Sequence, residues 1–326
     1  MRFKQIIFYE RGNNLELGIE ESFRLLETLV IKNRHYTREG NLPVYIPGLM
    51  KANPTDLGIY VTTLDGTEFW AGEWEKMFTL QSISKIIALM LAIIDQGQQA
   101  VFKKVGVEPT ADAFNSIVSL ETKNLQRPLN PMINSGAIVT VSLIAGNTRD
   151  EIFNRIIAFA RELMNNPQLD INQDVYLSER ETGHRNRALA YFMKSTGLIE
   201  KEVEDVLDVY FKQCSIECNT RDIARLGAVL ANKGVLPWNG KRLISEEVAK
   251  IIKTIMLTCG MYDASGEIAV NIGIPCKSGV GGGIVAVAPE RMGLGVYSPA
   301  LDGKGNSRAG IKLLKELSDD LNLSIF

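Results

Sequence analysis

The chain has 326 residues, 45% of them hydrophobic and 23% charged, with a formal net charge of −2. This is an ordinary globular composition, long enough for two domains or one elaborate one. No long basic run is present, which argues against a surface that tracks nucleic-acid phosphates, and no stretch approaches the roughly 20 apolar residues of a membrane span. Near the N-terminus only Ile6 to Tyr9 are apolar in a row. A secretory signal needs a longer apolar core, so the expected location is the cytoplasm. In a reducing compartment Cys214, Cys218, Cys259 and Cys276 are expected to be free thiols that pack as small hydrophobes. His35 and His184 lie away from them in sequence, so no metal site is expected.

In chain order, Leu15 to Lys32 reads as an amphipathic helix, with Ile19, Phe23, Leu26 and Val30 at helical spacing. A polar, Pro-containing segment follows to about Asp56. "LGIYVTTLDGTEFWAG" alternates around Asp65-Gly66, a hairpin dipeptide. "MFTL", Met77 to Leu80, is a candidate third short strand. It leads into "QSISKIIALMLAII", whose apolar run from Ile86 to Ile94 is uninterrupted. Asp95-Gln96-Gly97 ends that run, with Gly97 suited to a left-handed C-cap. The segment is too long for a typical strand, and a helix apolar on all sides belongs at the centre of a large domain.

From about 98 to 234 the pattern is mostly helical. Thr148-x-x-Glu151 is a capping box before Ile152, Ile156, Phe159 and Leu163. "EVEDVLDVYFKQ" and "TRDIARLGAVLANKG" are two more amphipathic helices, and another starts at Ser245. "IAVNIGIPCKSG", "GGGIVAVAPE" and "GLGVYSP" are β-like runs, and a last helix spans about Ser307 to Leu321. Strands near both ends with helices between predict an α+β fold with an antiparallel sheet. The predicted division is a discontinuous sheet domain, 1–80 with 240–326, and an inserted helical domain, 81–239, with the active site at their junction.

The polar mouth of the apolar run, Ser82-Ile83-Ser84-Lys85, admits two readings. Ser82 or Ser84 caps a helix, or Ser82 is a nucleophile with Lys85 as its base. Residues three apart in a helix share a face. A lysine serves as a base only as a free amine, which a dry surround and the positive end of a helix both favour. Alone the motif is weak, because about one Ser-x-x-Lys arises by chance in a chain this long. Lys277-Ser278-Gly279 strengthens it. Ser-x-x-Lys with a distant Lys-Thr-Gly marks β-lactamases and penicillin-binding proteins. Here Ser replaces Thr, and the third box, Ser-Asp-Asn, is absent.

"LQSISK", "RPLNPMINSGAI", "SERETGHRN", "LDVYFKQCSIE", "TCGMYDASG" and "CKSGVGGGI" together resemble the serine-dependent glutaminases, from about Tyr45 to Ser307. The resemblance implies a β-lactamase-like fold and hydrolysis of L-glutamine to L-glutamate and ammonia. It implies Ser82 as nucleophile, Lys85 as base, and Tyr45 and Tyr262 beside them. It places Asn134, Glu179, Asn186, Tyr210 and Tyr262 around the substrate, Val280 as a backbone contact, and Lys277, Ser278 and Gly279 in support. A carboxylate such as Glu179 suits a substrate ammonium. Standing alone, "SERE" reads as a solvated charged loop, and Tyr210 follows Val203, Val206 and Leu207 as a core residue would. The resemblance implies a homodimer or homotetramer, its chemistry requires no metal or organic cofactor, and the composition leaves no nucleic-acid or membrane partner expected. A different serine–lysine acyl hydrolase, a non-catalytic sensor and an asparaginase-like amidase are the alternative readings.

Overall fold

A computed structural model describes residues 6–10, 13–44, 46–111, 113, 115–116 and 127–326, with backbone alone for 6–10 and 13–17. The chain opens on an antiparallel hairpin of β1 (Ile6–Glu10) and β2 (Asn13–Leu17), followed by α1 (Ile19–Asn33). The expected helix over Leu15 to Lys32 thus starts four residues late. Leu15 to Leu17 pair with β1, and extended Gly18 begins the helix, with its N–H donated to Glu21 Oε2 at 2.7 Å.

Next come β3 (Gly58–Thr63) and β4 (Glu68–Gly72), joined at the expected Asp65-Gly66 hairpin. "MFTL" does form a short strand, β5 (Phe78–Thr79), but outside the main sheet. A turn at Gln81–Ile83 leads into α2 (Ser84–Gln96), then α3 (Gln98–Lys104), α4 (Asn134–Ser142), α5 (Arg149–Leu163), α6 (Gln173–Thr182), α7 (His184–Ser195) and α8 (Val203–Cys214). Then β6 (Glu217–Cys218) pairs with β5, and α9 (Thr220–Ala231), α10 (Glu246–Cys259) and α11 (Ser265–Asn271) follow. The chain closes with β7 (Cys276–Ser278), β8 (Gly283–Ala288), β9 (Met292–Tyr297) and α12 (Arg308–Asp320). "IAVN", expected as strand, is the end of α11. Only Cys276 to Ser278 of that run is extended.

The main sheet has the order β4-β3-β9-β8-β7, antiparallel throughout. Its first and last strands come from the two ends of the chain, which settles the α+β class. Both faces are covered, as alternation along β8 shows. Ile284, Ala286 and Ala288 join the core formed with α1 and α12, whereas Val285 and Val287 face the helical core. Helix α9 lies directly on that second face. A Cβ on its Gly227 would come 2.8 Å from the Ala286 carbonyl, so glycine there permits the close approach.

Helix α2 is buried from Ser84 to Ile93 and touches α3, α4, α5 and α10. Its six large apolar side chains from Ile86 to Ile93 contribute roughly 10–15 kcal/mol of burial as an upper estimate. That exceeds the several kcal/mol that burying an amine costs, so the helix can carry Lys85 into the core. Gly97 ends the helix at φ 77, ψ 150. The positive φ suits glycine, but this ψ is extended rather than left-handed helical. No single described helix is long and apolar enough to cross a membrane.

Candidate active site

The site is built at the start of α2. The Leu80 N–H donates to the Ile216 carbonyl at 2.8 Å beside the β5–β6 pair, which fixes the chain entering the turn. Gln81 then takes φ 48, a left-handed conformation that costs a non-glycine residue about 1 kcal/mol or more. Ser84 Oγ donates to the Gln81 carbonyl at 2.7 Å and braces the strained turn. No side chain caps the turn or the helix, so the capping reading of Ser82 and Ser84 fails. Ser84 is internal, whereas Ser82 opens onto a cavity.

Behind Ser82 lie two buried amines. Lys85 is 1% exposed and donates to the Met132 carbonyl at 2.9 Å and to Asn134 Oδ1 at 2.7 Å. Burial holds its pKa down at about 8, against the opposing pull of Cys214 and Glu179. Lys277, on β7, is fully buried and donates to the Ser278 carbonyl at 2.5 Å. Burial, and then Lys85, push it well below the ordinary lysine range. Its Nζ stands 4.7 Å from the centre of the Tyr262 ring. Tyr262 is itself left-handed, at φ 56, and its hydroxyl donates to the same Ser278 carbonyl at 3.2 Å. The phenol also hydrogen-bonds the Ser82 side chain and the Val280 N–H, and burial raises its pKa.

In front of Ser82 is a cavity of 170 Å³. Its walls include Gln81, Asn134, Glu179, Asn186, Tyr210, Cys214 and Val280. Glu179 projects inward from α6, 8% exposed, and burial lifts its pKa to about 7 against a Gln81 hydrogen bond and the Lys85 charge. "SERE" is therefore helix rather than loop. Asn134, at the first turn of α4, donates from Nδ2 to Asn186 Oδ1 at 2.9 Å. Tyr210 and Cys214 stand one helical turn apart on α8 and share a hydrogen bond. Burial pushes the Cys214 thiol up to about 12.

The glycines of "KSGVGGG" permit a close approach of backbone to backbone. A Cβ on Gly279 would lie 2.6 Å from the Leu80 carbonyl, and one on Gly281 would lie 2.6 Å from that of Thr79. They let the strand entering β8 press against the backbone that presents Ser82, and so bring Val280 beside it.

Of the sequence-derived candidates, Ser82, Asn134, Glu179, Asn186, Tyr210 and Val280 meet in the cavity wall, with Lys85, Lys277, Ser278 and Tyr262 behind it. Tyr45 lies outside the described residues, although the adjacent Ile46 lines the cavity. Sequence reasoning missed Gln81 and Cys214. The first adjoins Ser82 in "LQSISK", and the second follows Tyr210 by four residues, a same-face spacing. A larger cavity, 340 Å³, lies between Lys51, Asp174 and Gly281, and neither buried amine lines it. All four cysteines are free and buried, and no described group of His, Cys, Asp and Glu is arranged to hold a metal ion.

The glutaminase family model matches residues 40–326. Glutaminase 2 of Clostridium perfringens is 62% identical over 301 residues, covering 92% of this chain and 99% of that protein. The glutaminase of Clostridium tetani is 60% identical, covering 92% and 98%. Among solved structures, a probable Bacillus subtilis glutaminase complexed with 6-diazo-5-oxo-L-norleucine superposes with a TM-score of 0.87 at 40% identity. That match covers 96% of this chain and 98% of the other. A covalent complex of a Bacillus subtilis glutaminase with 5-oxo-L-norleucine, formed from the diazo compound, gives 0.86 at 41% identity, covering 93% and 99%.

Proposed function

The chain belongs to the glutaminase family of amidohydrolases, and we propose that it hydrolyses the side-chain amide of L-glutamine through a Ser82 acyl-enzyme, with Lys85 as general base. The observation that carries the mechanism is the placement of Ser82. It opens onto a polar cavity, three residues before an amine that burial holds near pKa 8 and in hydrogen-bond contact with a buried phenol.

Lys85, as the free amine, accepts the Ser82 proton directly or through the Tyr262 phenol. Ser82 Oγ forms a bond to the amide carbon, and the carbonyl π electrons move to oxygen. The Ser82 N–H stabilises that oxyanion, joined by the Val280 N–H as it turns from the Tyr262 oxygen to the substrate. The oxyanion collapses, the C–N bond breaks, and nitrogen leaves as ammonia with the proton returned from Lys85. A water molecule, deprotonated by the same amine, then cleaves the γ-glutamyl ester and restores the Ser82 hydroxyl. Glu179 takes the substrate ammonium in a charge-assisted hydrogen bond. Asn134, Asn186 and Tyr210 hold the α-carboxylate. Gripping both α-groups fixes the reach to the amide, so asparagine falls one methylene short, a difference worth about 10–200-fold.

Cys214 also lines the cavity, but a thiol pushed up to about 12 is protonated at neutral pH and is a poor nucleophile. The scheme uses no metal or organic cofactor. The architecture we favour is β-lactamase-like, with the site between a sheet domain and an inserted helical domain. Helix α9 within 81–239 packs on the sheet, so the boundary is best drawn by contact rather than by sequence. Ammonia release from L-glutamine by wild type and Ser82→Ala tests the scheme. Wild type should release it, and near-normal release by the variant rules the acyl-enzyme out.

A further inference from the structure

The scheme above uses Lys85 and Tyr262 but leaves Lys277 idle. That is an unusual place for an idle lysine. It is wholly buried, where an apolar side chain of similar volume is often tolerated as well or better. The groups facing it are Lys85, Cys214, Cys259 and Tyr262. Burial raises the pKa of both thiols and of the phenol, so none supplies a carboxylate-like counter-charge at neutral pH. Salt bridging therefore does not explain its position.

Its geometry is directed at Tyr262. The nitrogen sits over the ring face at 4.7 Å, within the range of an amine–aromatic contact. Lys277 and the Tyr262 hydroxyl donate to one carbonyl oxygen, that of Ser278, at 2.5 and 3.2 Å. A carbonyl has two acceptor lone pairs, so these two donors fill it and fix the amine and the phenol relative to each other. Tyr262 also needs holding, because φ 56 is strained for a bulky residue. At rest the hydroxyl donates to Ser278 at 3.2 Å and its oxygen faces Ser82 and the Val280 N–H, so a rotation of the O–H is all a relay from Ser82 requires.

Resting on the Ser82–Lys85 reading above, we propose that Lys277 is a positioning residue that holds the Tyr262 phenol against Ser82 and so sets the rate of proton transfer without touching the substrate. It is absent from the cavity wall, so its loss should be felt in kcat and not in KM.

The test is a double-mutant cycle on L-glutamine turnover, with Lys277→Met made in wild type and in Tyr262→Phe. In wild type, kcat should fall about 30–100-fold, less than the roughly 10²–10⁴-fold of a whole acid–base contribution because the phenol is misplaced rather than removed, and KM should stay within about 3-fold. In the Tyr262→Phe background the same substitution should change kcat by less than about 3-fold, because the hydroxyl it positions is gone. Equal fold-losses in both backgrounds, or a rise in KM at unchanged kcat, overturn the proposal. Tm should be unchanged or raised. If Lys277→Met instead melts early, Lys277→Gln retains an N–H donor for the Ser278 carbonyl. Recovery of kcat to within about 10-fold of wild type then supports the role, and a loss as deep as that of Met contradicts it. Ser82→Ala, assayed in parallel, separates the two levels. Activity retained there removes the dyad itself, whereas an inactive Ser82→Ala with multiplicative losses removes only the role given to Lys277.

Discussion

The rear of the cavity and its front wall are built on opposite terms. At the rear, Lys85, Lys277 and Tyr262 are buried, and two left-handed residues flank Ser82, Gln81 as its neighbour in the turn and Tyr262 through a side-chain hydrogen bond. Buried amines and strained backbone cost stability, which the apolar body of α2 and the sheet core offset. At the front, Glu179, Asn186 and Tyr210 project from three ordinary helices, α6, α7 and α8, with unstrained backbone. The difference separates two kinds of work. On the proposed scheme the rear holds the proton-transfer groups where bonds are made, and the front supplies partners for the substrate's charges.

The deepest test of that separation is Lys85→Met. It should lower kcat by about 10³-fold or more while raising Tm, because it removes a buried amine. The pH dependence of stability gives a second check. Lys85 holds its proton less tightly when folded, at about 8, than in the unfolded chain, at about 10.5. The unfolded state therefore binds more protons in that window, and wild type should gain stability as pH rises from about 8 to 10.5. In Lys85→Met the contribution of that residue to the slope should vanish. Chemical denaturation across this range measures both. Equal slopes in the two proteins would show that Lys85 is not the dry amine described.

Glu179→Gln should act at the front. Loss of a charged hydrogen bond predicts a rise in KM of about 10–100-fold with a smaller change in kcat. In wild type, kcat/KM should fall as pH drops below about 8, where Lys85 protonates, and fall further below about 7, where Glu179 protonates. The second break should disappear in Glu179→Gln. A loss confined to kcat would place Glu179 with the rear group instead. The smallest effect is expected from Ser84→Ala. It removes the brace on the Gln81 carbonyl, at about 1 kcal/mol of stability, and should leave kcat within a few-fold of wild type.

The rear was the more legible half in sequence. An uninterrupted apolar run behind Ser-x-x-Lys, and a remote Lys-Ser-Gly, each have few physical readings. The front was hidden in ordinary helices. "SERE" reads as surface because all four of its residues are polar and three are charged. Yet Glu179 follows Val175 by four residues, and both are buried on one face of α6. That spacing was the available signal. Elsewhere the failures were short or non-local. The seven-residue α11 carries Ile268 and Val270, β-favouring residues in a segment too short for its period to decide. The partner of β5 is β6, far along the chain, and no local pattern reports such a pairing. Gly279 and Gly281 pack closely against the backbone before Ser82, a contact across the chain that no pattern within "KSGVGGG" reports.

The central claim is that Ser82, and not the nearby Cys214, forms the covalent bond. Treatment with 6-diazo-5-oxo-L-norleucine, followed by proteolysis and peptide mass mapping, tests it most directly. The adduct should fall on Ser82 at one per chain, be absent from Ser82→Ala, and form more slowly as pH drops below about 8 with protonation of Lys85. Full inactivation with the adduct on Cys214 would contradict it.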